Sequence, residues 1–198
     1  MESEIDLTPD LEGPELDERE LEVLKLMSSE QNGYFSFQGL RRRLGFHQET
    51  LTRTLRRLKE ARVIESSPEG YRLRTSNSAC SFKFHTNQFR AKPIIEAYLP
   101  ALVDVTVLFQ RLRGRWFSNF RWLGYSNHRG QLSMSWVSED GRMQLQARVN
   151  AGKISILVDS LTSRDDPRLV AAAYQLFDHV SKAAEELVQN PERPTLAN

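Results

Sequence analysis

The chain has 198 residues, enough for one large domain or two small ones, and its net charge of +1 reveals nothing about partners by itself. Its single cysteine, Cys80, excludes an intramolecular disulfide and points to a reducing compartment. The acidic amino terminus lacks the apolar segment of a signal peptide, and no apolar run approaches the roughly 20 residues that span a bilayer. A soluble, cytoplasmic protein is expected, with no membrane partner.

In chain order, residues 1–16 read as an acidic flexible arm interrupted by Pro9 and Pro14. Asp17 and Glu20 have capping-box spacing and predict a helix to about Ser29, with Leu21, Leu24 and Met27 facing the core. Gln31-Asn32-Gly33 is a turn, Tyr34-Phe35 a short strand, and Ser36 caps a helix through Leu44. Gly45 can end that helix in the left-handed conformation. Leu51, Leu55 and Leu58 form the buried stripe of the next helix, and residues 63–66 and 71–74 make a hairpin around Ser67-Pro68-Glu69-Gly70. Charge is segregated: residues 1–20 carry nine acids against Arg19, while residues 37–74 carry ten Lys or Arg against four acids.

Residues 75–91 read as a connector. From Lys92 to about Leu112 the spacing of Ile94, Ile95, Leu99, Leu102, Val103, Val107 and Leu108 predicts a strongly apolar helix, kinked at Pro100, that is buried or lies in a dimer interface. Four alternating segments follow. One face carries Trp116, Phe120 and Trp122, then Leu132, Met134 and Trp136, then Met143, Leu145, Ala147 and Val149, then Ile154, Ile156 and Val158. Gln144, Gln146 and Arg148 face the other way. A final helix begins near Pro167, with Asp165-Asp166 favouring its amino end, and residues 191–198 are a tail. The expected fold class is α+β: an N-terminal winged helix-turn-helix over 17–74, then an α-β-β-β-β-α domain over 92–190 built on an antiparallel meander.

The run Leu44-Gly45, Phe46, His47, then Leu55, Leu58, Val63 and Ile64 resembles the winged helix-turn-helix of the MarR and ArsR groups of transcriptional regulators. Arg62 stands where that pattern commonly has glycine. The resemblance covers residues 17–74 and implies double-stranded DNA as partner, read by a homodimer in a cytoplasmic, nucleoid-associated setting. It would put Gln48, Thr50, Thr52 and Arg53 at bases or adjacent phosphates. Arg56 and Arg57 would contact the backbone, Arg41, Arg42 and Arg43 the flanking phosphates, and Arg72 and Arg74 would approach from the wing. Glu49 and the acidic wing tip at Glu69 run against that pattern.

Two rival readings use the same residues differently. The winged helix could serve as a protein-interaction subunit of a larger assembly. Alternatively, Arg113, Arg115, Trp116, Phe117, Phe120, Arg121 and Trp122 interleave basic and aromatic groups as single-strand nucleic-acid binders do, with Phe117 and Arg121 as the outward-facing members. A small-molecule or protein effector on the second domain would be enclosed by Tyr98, Trp122, Trp136 and Tyr174. Cys80 and His85, with His47, His128 and His179 scattered, fall short of a metal site, and no catalytic motif or cofactor fingerprint is present. An enzyme is not expected.

Overall fold

The computed structural model describes residues 16–30, 32–74, 93–160 and 167–189. Helix α1 (Glu18–Ser28) starts at a complete capping box: Asp17 accepts from the Glu20 backbone, and Glu20 accepts from that of Asp17. Strand β1 (Tyr34–Phe35) leads to Ser36, whose hydroxyl accepts from the Gly39 backbone and caps α2 (Phe37–Leu44). Gly45 ends α2 at φ 67°. Helix α3 (Gln48–Glu60) buries Leu51, Thr54, Leu55 and Leu58, and Arg62 takes a left-handed φ of 57° as the chain turns into the hairpin β2 (Ile64–Ser67) and β3 (Gly70–Leu73).

Next come β4 (Ile95–Tyr98) and α4 (Val105–Leu112). Strands β5 (Phe120–His128), β6 (Gln131–Ser138), β7 (Met143–Asn150) and β8 (Lys153–Ser160) pair antiparallel in sequence order, and α5 (Pro167–Gln189) closes the described chain. All eight strands lie in one sheet, ordered β2-β3-β1-β5-β6-β7-β8-β4.

The join at β1 corrects the expected architecture. Phe35 pairs with Tyr71 of the hairpin on one side and Gly124 of β5 on the other. The Ser36 N–H donates to the Leu123 carbonyl at 2.8 Å and its hydroxyl to the Trp122 carbonyl at 3.1 Å. The close approach of β1 requires a glycine at 124, since a Cβ there would run into the Tyr34 carbonyl oxygen. A core of Val23, Leu24, Met27, Phe35, Leu40, Leu51, Leu55, Leu58 and Ile64 incorporates Leu123 and Val137 from β5 and β6. There is no distinct winged helix-turn-helix followed by a separate domain. The MarR/ArsR-like assignment and the two-domain fold class are therefore overturned: one α+β unit is built on a continuous sheet. Local helix-turn-helix periodicity cannot distinguish these outcomes, because it does not encode what lies beside a two-residue strand.

The opposite sheet face carries the larger core. Trp122, Met134, Trp136, Leu145, Ala147, Ile154 and Ile156 pack under Leu108, Leu112, Ala173, Leu176, Val180 and Ala184. The predicted apolar helix over 92–112 is two elements. Ile95 pairs with Ile156 in a strand, and the helix begins only after Asp104, whose carboxylate caps the Thr106 and Val107 backbones. Val103, Leu108 and Leu112 enter the core and Ile95 and Leu99 pack against it, whereas Ile94, Leu102 and Val107 are exposed, so no continuous apolar helix exists to serve as a dimerisation element. Trp116 is 63% exposed and stacks under Arg121, whereas Phe117 is buried against Phe120 and His179, the reverse of the expected facing.

Among the described residues no helix is long and apolar enough to cross a membrane. The acidic arm through residue 15, the connector with Cys80 and His85, Asp165-Asp166 and the tail lie outside the described residues.

Candidate functional site

Five of the eight arginines expected to face DNA are paired with acids. Arg43 is the clearest case. Its side chain is 10% exposed, donating to Asp159 of β8 at 2.9 Å and to the Gly141 carbonyl at 3.1 Å. Burial lowers its pKa, with Asp159 opposing that shift. Arg57 bridges Asp17 at 2.9 Å and Glu20 at 3.2 Å, while Arg53 pairs with Glu49 and Arg56 with Glu60 on α3 itself. Arg72 binds Glu65 and donates to the Tyr34 hydroxyl at 2.7 Å. Arg42 donates weakly to the Gln38 carbonyl, Arg41 is half-buried and Arg74 exposed. Gln48 and Thr52 are exposed, Thr52 bonding back to the Gln48 carbonyl, and Thr50 is half-buried.

The wing is docked as well. Glu69 accepts from the Tyr125 hydroxyl at 2.7 Å and lies 3.5 Å from Arg113. Burial and that carboxylate push the Tyr125 phenol far above its ordinary range. The reading as a DNA-binding regulator required an independent winged-helix domain, and it falls with that domain. The homodimer expectation goes too.

A different site emerges from strand register. On the sheet face turned away from α4 and α5, alternate residues line up across the strands in rows. One row runs Ser126, Ser133, Arg148, Ser155, Glu96, and the next runs His128, Gln131, Asn150, Lys153, Tyr98. Neighbouring rows are covered: Gly124, Ser135, Gln146 and Leu157 form one, and Val137, Gln144 and Asp159, paired to Arg43, form another. The α1–α3 layer covers the β5–β6 side, with Gln146, Ser133 and Ser135 buried beneath it. Among the described residues the cover ends toward β8 and β4, where a groove of about 510 Å³ is lined by Pro93, Glu96, Tyr98, Gln131, Arg148 and Lys153, among others.

Among the described residues, Arg148, Lys153 and Glu96 are the charged groups lining the groove. Lys153 and Glu96 pair at 2.8 Å, each favouring the other's charged form, so the lysine pKa rises and the glutamate's falls. Ser155 donates to Glu96 at 3.3 Å. Arg148 Nε donates to Gln146 Oε1 at 2.7 Å, which anchors the guanidinium to the buried polar row.

Sequence reasoning reached the groove only at Tyr98, expected in an effector pocket with different neighbours, and at Arg148 through the polar alternation with Gln144 and Gln146. It does not bring Glu96 beside Lys153, because that strand lay within a predicted helix. The effector pocket expected from aromatics does not form. Trp122 and Trp136 meet edge-to-face at 5.4 Å inside the core, whereas Tyr98 and Tyr174 are 81% and 61% exposed. Comparison with protein-family models, curated proteins and solved structures finds no match for this chain.

Proposed function

We propose that this protein is a non-catalytic binding protein that takes a small carboxylate-bearing ligand in the groove over β7, β8 and β4. One observation carries the reading: the register places Arg148 and Lys153 on adjacent rows of the same sheet face, within a concavity of about 510 Å³. That volume falls in the range of small-molecule sites, and guanidinium and ammonium donors on adjacent rows suit the two oxygens of a carboxylate. Seryl, amide and phenolic groups from Ser155, Gln131, Asn150 and Tyr98 surround the cations and supply orienting hydrogen bonds. A reducing, cytoplasmic setting fits a chain with one cysteine.

The test is chemical-shift mapping on isotope-labelled protein titrated with succinate and with 1,2-ethanedisulfonate. Shifts centred on Arg148, Asn150 and Lys153 that vanish in Lys153→Gln support the reading. Responses confined to α3, or equal in wild type and variant, overturn it.

A further inference from the structure

The groove and the α1–α3 layer share a polar connection at the end of α1. Glu30, just beyond the helix, tucks its carboxylate under the layer and against the sheet. One oxygen accepts from the Ser126 hydroxyl of β5 at 3.1 Å, and the other accepts from the Gln146 side-chain amide of β7. The same Gln146 amide offers its oxygen to Arg148 Nε at 2.7 Å. A continuous chain therefore runs from a carboxylate in one layer, through a fully buried amide, to a guanidinium lining the groove.

The amide also fixes the geometry at both ends. Gln146 is 0% exposed, its nitrogen lies 3.4 Å from the Ser135 hydroxyl, and flipping it would turn a donor on Arg148 and an acceptor on Glu30. We propose that Glu30 is the positioning residue for the groove: through Gln146 it aims Arg148 at the ligand, and its own charge offsets the positive field that the ligand meets. This rests on the groove reading above.

The direction of coupling follows from charge. With Glu30 ionised, Arg148 faces a nearby anion from behind and attracts a ligand anion less. With Glu30 protonated, its own negative charge no longer offsets the guanidinium and anion binding strengthens. Binding is therefore accompanied by proton uptake. Burial already raises the Glu30 pKa, with Gln146, Arg148 and Ser126 opposing that shift. The groups facing Glu30 are Ser126 from β5, and Gln146 and the charged Arg148 from β7. His128, farther along β5, lies 3.3 Å from the Asn32 amide.

The experiment uses 1,2-ethanedisulfonate, a dianion whose own charge is constant, over about pH 4 to 8. Wild type binds it roughly fivefold more tightly at the acid end, an ordinary inter-site coupling, while Glu30→Gln binds with the acid-end affinity throughout. Identical pH profiles in the two proteins overturn this inference and leave the groove reading standing. Absence of binding to either protein at any pH removes the groove reading. A ligand-free measurement keeps the two apart: the Glu30 carboxyl carbon is titrated by NMR in wild type and Arg148→Gln. A higher pKa in the variant establishes the Glu30–Arg148 coupling, and an unchanged one refutes it.

Discussion

Replacing Gly39 with alanine asks whether the helical layer is integral to the sheet. Gly39 lies within α2, and a Cβ there would sit 2.6 Å from the Leu123 Cα and 2.8 Å from the Leu123 carbonyl oxygen. Both obstacles are backbone of β5, which cannot rotate away. In a free-standing helix the substitution would stabilise by about 1 kcal/mol, because alanine is the better helix former. Here α2 must lift from the sheet, and overpacking of this kind costs about 1–3 kcal/mol, with partial exposure of Leu123 and Val137 adding up to about 1 kcal/mol. The net expectation is a loss of about 2 kcal/mol, or about 4–8 °C in Tm for a protein of this size. Thermal unfolding by circular dichroism, supported by urea titration, reads it directly. A Gly39→Ala protein as stable as wild type, or more so, would refute the reasoning and restore an independent helical unit.

Two further outcomes follow from the same architecture. Leu108→Ala should cost about 2–5 kcal/mol in chemical unfolding, because Leu108 is fully buried in the core beneath α5, whereas a dimer-interface residue would show a concentration-dependent loss instead. For Glu30, whose pKa is raised above 4.5 in the fold, the native state binds its proton more tightly than the unfolded chain does. Its stabilising contribution is fully present below about pH 4.5 and is lost as pH rises through the folded pKa. The stability of Glu30→Gln minus that of wild type should accordingly climb with pH above 4.5 and then level off. A difference independent of pH in denaturant titrations would contradict this.

Local chemistry was the legible part of this sequence. Asp17 and Glu20, Ser36, and Gly45 announced their caps because a cap is decided within four residues. The alternation from Phe120 to Val158 marked the central strands for the same reason: period two is a property of neighbours. What could not be read was decided by partners distant in the chain. Ile94 to Leu112 has helical spacing throughout, but the pairing of Ile95 with Ile156 pulls its first part into the sheet. The arginines of the α2–α3 region looked like a cationic face because Asp159 and Asp17, which neutralise two of them, lie outside that run. The groove was invisible for the corresponding reason, since Glu96 and Lys153 are 57 positions apart and meet only through register.

The pairing of β1 with β5 also sets a clock on synthesis. Residues 17–74 emerge from the ribosome first, yet Phe35 must wait for Gly124, about 90 residues later, before its second edge is filled. At ordinary elongation rates that is about 5–20 s during which Leu40 and Ile64 have neighbours but the floor formed by Leu123 and Val137 is still missing. The nascent amino-terminal third therefore stays greasy and open on one side until the middle of the chain arrives, and a stall in translation between residues 75 and 120 is the point at which chaperones would find the most to hold.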